Sequence, residues 1–171
     1  MEKAEVAGLA RELARYVHRH QKYNGDHPYL DHLDHTVTVL ERFEVTDPEV
    51  LAAGYLHDAL EDTGLTAEDM AKATTPRVAA IADALTDGPG KNRRERKVRP
   101  YGLIPKRHGA LEVKLADRIA NVETAFATGN RRYKMYLKEL PAIRERLRLT
   151  ENEPPHLARM WEHLERLLKG A

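Results

Sequence analysis

The residues with the most capacity for chemistry in this chain are histidines and carboxylates. Six of its nine histidines lie between His18 and His57. The most informative stretch is Tyr55-Leu56-His57-Asp58-Ala59-Leu60-Glu61-Asp62-Thr63-Gly64. On a helix, Glu61 stacks over His57 and Asp62 over Asp58, four residues on in each case. The surrounding Val50, Leu51, Ala52, Ala53, Leu56, Ala59 and Leu60 are apolar. Polar groups buried among them need a metal ion or each other as partners. The other reading is an exposed acidic helix end beside a core histidine.

Two further segments add ligand types. Pro28-Tyr29-Leu30-Asp31-His32 places a histidine at a helix start, and Asp117 sits inside the largely apolar run Val113 to Asn121. An aspartate is a poor helix former and costly to bury unpaired. Lys114 or Arg118 pairing it at the surface is the structural alternative. His32, His57, Asp58 and Asp117 together supply two imidazoles and two carboxylates. That set suits manganese, iron, cobalt or zinc, with positions open for water, and suits magnesium poorly.

The elements that must position these groups read as helices throughout. Val6, Leu9, Leu13, Tyr16 and Val17 recur at helical spacing over residues 2–21. Tyr23-Asn24-Gly25-Asp26-His27-Pro28 is punctuated as a loop. A second helix is predicted over 31–43. A third is expected to start at Thr46-Asp47-Pro48-Glu49 and to run to about Gly64. Thr66 and Thr75-Pro76 open two more, the latter stopping near Gly88-Pro89-Gly90. The basic stretch from Lys91 to Arg107 reads as a short helix and an irregular loop. Long helices follow over 110–128, 132–147 and 154–168. In the last, Leu157, Met160, Trp161, Leu164 and Leu168 share a face and read as core. No strand alternation persists, so the expected class is all-α.

The 171 residues suggest one domain spanning 1–171, with core motifs over about 13–128 and further helices over 130–170. Hydrophobic residues make up 42% and charged residues 32%, with a mean hydropathy of −0.63, as in a soluble globular protein. No apolar run approaches the roughly 20 residues of a spanning helix, and the first residues lack a signal peptide's apolar core. Cysteine is absent, which excludes disulfides, thiol catalysis and iron–sulfur ligation and points to a reducing cytoplasm. The net charge of +1 makes a nucleic-acid partner an unfavoured expectation. Charge is nevertheless segregated. Residues 41–70 hold nine acids and one base, Arg42, whereas residues 91–107 hold eight bases and one acid, Glu95. The pattern describes either two solvated faces or a carboxylate site beside an anion-attracting loop. No Gly-x-x-x-x-Gly-Lys or Gly-x-Gly-x-x-Gly occurs, so a P-loop triphosphatase or a dinucleotide oxidoreductase is unsupported.

Taken in order, Pro28-Tyr29-x-x-His32, His57-Asp58-x-x-Glu61-Asp62 and Asp117-x-x-x-Asn121 resemble the motifs of the HD superfamily of metal-dependent phosphohydrolases. They are most similar to the hydrolase domain of the RelA/SpoT alarmone enzymes and their small stand-alone relatives. The resemblance implies an HD-type helical bundle with metal ligands His32, His57, Asp58 and Asp117. It implies Glu61 and Asp62 as the catalytic pair, managing protons for water attack on a phosphoester, and Asn121 and Thr124 facing the nucleotide. It also implies one divalent metal, manganese first and iron, cobalt or zinc as alternatives. Only His108 lies where dinuclear relatives carry extra histidines. The implied reaction is 3′-pyrophosphohydrolysis of guanosine 3′,5′-bis(diphosphate); the alternative is an HD phosphatase for another nucleotide or small phosphoester. A non-catalytic module is disfavoured, because neither the ligands nor the Glu-Asp pair is lost.

Departures from that pattern fall near the substrate. Leu33 follows the first histidine where the family usually has proline. His35 is an alternative ligand at the wrong spacing. Tyr23 and Asn24 replace a common arginine and lysine, leaving Lys22 to compensate for the lost charge and Tyr23 to stack on a base. Arg93, Arg94, Arg96, Lys97, Lys106 and Arg107 are available to neutralise a polyphosphate, and a minority of them is expected to do so.

Overall fold

The computed structural model describes residues 5–149 and 153–170. It contains eleven α-helices and one two-stranded ribbon among those residues. α1 (Val6–Val17) leads into β1 (Lys22–Tyr23) and β2 (His27–Pro28). α2 (Tyr29–Arg42), α3 (Pro48–Leu56), α4 (Ala59–Asp62), α5 (Ala67–Ala73) and α6 (Pro76–Leu85) follow. The basic stretch forms α7 (Arg93–Arg96), α8 (Val98–Leu103) and a 3₁₀ turn, and α9 (Ala110–Ala127), α10 (Tyr133–Arg146) and α11 (Pro155–Lys169) complete the chain.

Local chemistry accounts for several helix starts. Asp47 caps α3 by accepting from the Glu49 N–H, with Pro48 in the first turn. Thr66 caps α5 through the Asp69 N–H, and Thr75 caps α6 through the Val78 N–H ahead of Pro76. α3 is apolar nearly all round, which fits a helix packed on several sides. It contacts α1, α2, α6 and α9, while α9 also carries α10 and α11. α11 buries the Leu157, Met160, Trp161, Leu164 and Leu168 face expected of it. No helix among the described residues is long and apolar enough to cross a membrane.

Two local expectations are corrected. The segment around Asn24-Gly25 is a small antiparallel hairpin, pairing Lys22 with Pro28 and Tyr23 with His27, rather than a plain loop. Asn24 and Gly25 both take positive φ, which lets the chain reverse over a three-residue loop. The expected continuous helix from 46 to 64 is interrupted at His57-Asp58. The His57 ring nitrogen Nδ1 lies 2.8 Å from the Gly54 carbonyl, the group that the Asp58 N–H would use in an unbroken helix. Helical bonding resumes at once, since the Asp62 N–H bonds the Asp58 carbonyl at 2.9 Å.

Candidate metal centre and phosphate cavity

The break turns His57 and Asp58 inward from the end of α3, toward His32 on α2 and Asp117 on α9. One ligand atom from each of His32, His57 and Asp117 lies within 4.8 Å of the other two. His57 Nε2 is 3.1 Å from Asp58 Oδ2 and 3.7 Å from Asp117 Oδ1. His32 Nε2 is 3.4 Å from Asp117 Oδ1 and 4.0 Å from Asp58 Oδ2. Asp58 therefore stands at the edge of the group rather than inside the tight trio. Its Oδ2 also accepts a 2.5 Å hydrogen bond from the Tyr29 hydroxyl.

The donor set is that of a cation site. With Nδ1 donating to the Gly54 carbonyl, neutral His57 presents the lone pair of Nε2 to two carboxylates. Nε2 of His57 is fully buried and makes no hydrogen bond, and neither does Nδ1 of His32. Acceptors facing acceptors in a buried site require a shared proton or a cation. The titration behaviour has the same cause. Burial by itself would lower the pKa of His57, but Asp58 and Asp117 outweigh it and raise it well above the ordinary value. Burial would raise both aspartates; His57 instead pulls Asp58 down, and Lys114 with the two histidines pulls Asp117 down. A divalent cation would replace the proton that this arrangement draws onto an imidazole.

Neighbouring groups orient the ligands. Asn121 Nδ2 donates to Asp117 Oδ1 at 2.6 Å and to the Asp117 carbonyl at 3.0 Å. Its Oδ1 accepts from the Tyr23 hydroxyl at 3.1 Å. Tyr23 stacks on the His32 ring, with centroids 4.8 Å apart. Lys114 pairs with the other carboxylate oxygen of Asp117 at 3.1 Å, inside the protein rather than at its surface. Arg118 does not pair with Asp117; it reaches Glu139 at 2.8 Å.

Beside this centre lies a polar cavity of about 120 Å³, whose wall includes Glu61, Arg93, Lys97, Lys114 and Arg118. Its size admits a phosphoryl group. Glu61 and Asp62 diverge. Glu61 faces the cavity and accepts the Asp87 N–H at 3.0 Å, whereas Asp62 turns away to accept from Gln21 Nε2 at 2.8 Å. Of the six basic candidates, Arg93 and Lys97 line the cavity, while Lys106 and Arg107 line a separate depression with His108. Tyr23, Asn121 and Thr124 border a shallow recess next to Asn24 and Arg132. Lys22 is exposed and borders neither the cavity nor this recess. His35 is not a member of the metal trio; it bonds Glu123 at 2.9 Å. The sequence did not single out Tyr29 or Gln21 as site residues. Only Tyr29 left a signal, as part of the Pro-Tyr-x-x-His motif.

Residues 10–97 match the family model described as HD domain. The chain belongs to the HD domain family. A zebrafish protein, guanosine-3′,5′-bis(diphosphate) 3′-pyrophosphohydrolase MESH1, is 34% identical over 109 residues, which is 61% of each chain. The mouse protein of the same name is 31% identical over 125 residues and 70% of each chain. Among solved structures, one described as a metazoan ortholog of SpoT that hydrolyzes ppGpp superposes with a TM-score of 0.77 at 25% identity, covering 97% of both chains. A Listeria monocytogenes structure shares the fold, with a TM-score of 0.63 at 23% identity. The HD fold and the motif order thus belong to this chain, and the relatives' named reaction belongs to the relatives.

Proposed function

We propose that this protein is a metal-dependent phosphohydrolase of the alarmone type, acting as a single HD-type domain in the cytoplasm. Its substrate in this reading is guanosine 3′,5′-bis(diphosphate), cleaved at the 3′-diphosphate. One observation carries the proposal: two buried imidazole nitrogens and two carboxylates converge beside a cation-walled cavity that admits a phosphoryl group. His32, His57 and Asp117 would hold the metal, with Asp58 completing the set and manganese the first choice. When bound, such a metal lowers the pKa of a water and stabilises charge on phosphoryl oxygen.

The chain's own groups supply the rest. Lys114, Arg93 and Lys97 lie where phosphate oxygens would enter, and they neutralise the charge that builds up as the ester breaks. Glu61 is the carboxylate on the cavity wall, so it takes the proton of the attacking water. Asp62, bonded to Gln21, acts as a positioning residue for the loop that leads into α2. Tyr29 fixes Asp58, and Asn121 fixes Asp117.

A second reading, an HD phosphatase for another nucleotide, is favoured by Tyr23. Its hydroxyl is committed to Asn121 and its ring to His32, where the alarmone enzymes commonly use an arginine. The deciding test incubates the protein with manganese or chelator against guanosine tetraphosphate and a nucleotide panel, with His57→Ala as control. Manganese-dependent pyrophosphate release, absent in the control, supports the alarmone reading. Orthophosphate release from a different nucleotide supports the second. Absence of turnover on every substrate, with metal bound, overturns both.

A further inference from the structure

Outside the catalytic cavity, a concavity of about 500 Å³ lies between α7, α8 and α10. That is the size of a small-molecule site rather than of a solvent dimple. Arg93, Arg94, Lys97, Lys138 and Arg146 surround it, against the carboxylates Glu139 and Glu145. Arg93 and Lys97 also wall the catalytic cavity and each holds a carboxylate. Arg93 holds Glu139 at 2.5 Å, a carboxylate that Arg118 also takes, and Lys97 holds Asp87 at 2.6 Å. Arg94, Lys138 and Arg146 have no carboxylate or hydrogen-bond partner among the described residues. Arg146 lies 5.9 Å from the Tyr101 ring centroid. Ala142 and Ile143 give the concavity an apolar side.

Three unpaired cations converging on a cavity with an aromatic and an aliphatic wall match a ligand with matching parts. We propose that this concavity is a second binding site, for an organic polyphosphate such as a nucleoside diphosphate. Its phosphates would engage Arg94, Lys138 and Arg146, and its planar group would lie against Tyr101. Arg93 and Lys97 also wall the catalytic cavity, so the two spaces adjoin. The polyphosphate therefore has two possible sources: the far end of a substrate whose other phosphate sits at the metal centre, or a separate molecule. The two carboxylates in its lining favour either of these over a nucleic-acid track.

The test is calorimetric titration of the full chain with guanosine 5′-diphosphate and with inorganic tripolyphosphate, in chelator and at low salt. The comparison set is wild type, His57→Ala, and the triple variant R94E/K138E/R146E. All three substituted side chains are exposed, and circular dichroism and thermal melts check their fold. The expected result is one equivalent bound, weakened at least about tenfold in the triple variant and preserved in His57→Ala. Unchanged affinity in the triple variant overturns the proposal, as does binding lost only in His57→Ala. Retention of an RNA oligonucleotide without either small probe overturns it too.

A kinetic arm separates the sources. If the far end of the substrate occupies the site, the triple variant raises KM for a nucleotide carrying 5′-phosphates and not for one lacking them, with kcat held. If a separate molecule does, KM is unchanged and guanosine 5′-diphosphate does not compete with substrate. This arm rests on the phosphohydrolase reading, but the titration does not. A protein without turnover that still binds in the titration refutes that reading and leaves the second site standing.

Discussion

At the scale of single residues, the site combines groups whose types were legible with geometry that was not. His32, His57, Asp58 and Asp117 stand out in the sequence because polar groups interrupt apolar helical stretches. The divergence of Glu61 from Asp62 was hidden, since it is fixed by partners 26 and 41 residues away, the Asp87 N–H and Gln21. Residues supplying single hydrogen bonds from far along the chain, such as Gln21 to Asp62, leave no local pattern at all. The divergence predicts unequal roles. Glu61→Gln is expected to lower kcat by about 10²- to 10⁴-fold, with manganese affinity unchanged. Asp62→Asn should cost less than about tenfold by the same principle, because its carboxylate faces Gln21. Steady-state kinetics beside metal titration would decide it; equal losses in kcat would mean that the pair works as a unit. Tyr29→Phe removes the hydroxyl that holds Asp58 and is expected to weaken manganese binding by about 10- to 100-fold. An unchanged affinity would show that Asp58 needs no such support.

At the scale of elements, caps and periodicity were readable, and the start of α9 shows what was not. Gly109 precedes α9 with φ +94°, and a methyl group there would meet Val50 Cγ2 at 2.8 Å and Ile81 Cδ1 at 3.1 Å. The residue thus sets how closely the helix carrying Asp117 approaches α3 and α6. No sequence pattern distinguishes it from Gly129, which also has positive φ, +67°, but has open space around it. The two glycines therefore make a matched experiment. Gly129→Ala pays only for the left-handed backbone, about 1 kcal/mol. Gly109→Ala pays that and about 1–3 kcal/mol of overpacking as well. Urea denaturation of both variants measures the difference. If they lose equal stability, the close approach at Gly109 is relieved by side-chain movement. Because α9 carries Asp117, Asn121 and Lys114, Gly109→Ala should also weaken metal binding, which Gly129→Ala leaves alone.

At the scale of the whole molecule, one carboxylate ties the bundle together behind the site. Glu123 on α9 is bonded by His35 at 2.9 Å and Arg42 at 2.7 Å, both from α2, and by His163 on α11 at 3.1 Å. It joins the helix carrying Asp117 to the helix carrying His32 and to the C-terminal helix. The sequence order of these four residues would not suggest this clamp, because the three bases lie 40 to 88 residues from Glu123. Burial by itself would raise the Glu123 pKa, but the bonds from His35, Arg42 and His163 outweigh it and pull it down to about 2. A carboxylate whose pKa is depressed by folding contributes stability above its unfolded value near 4.3, and loses that contribution as pH falls through the folded value. Glu123→Gln should accordingly cost about 1–3 kcal/mol at pH 7, the scale of a partly buried charged hydrogen-bonding group. The gap between wild type and variant should close as pH falls from about 4.3 toward 2. Urea melts at a series of pH values provide the measurement. A gap that persists at low pH would mean that the clamp acts by shape and neutral hydrogen bonding.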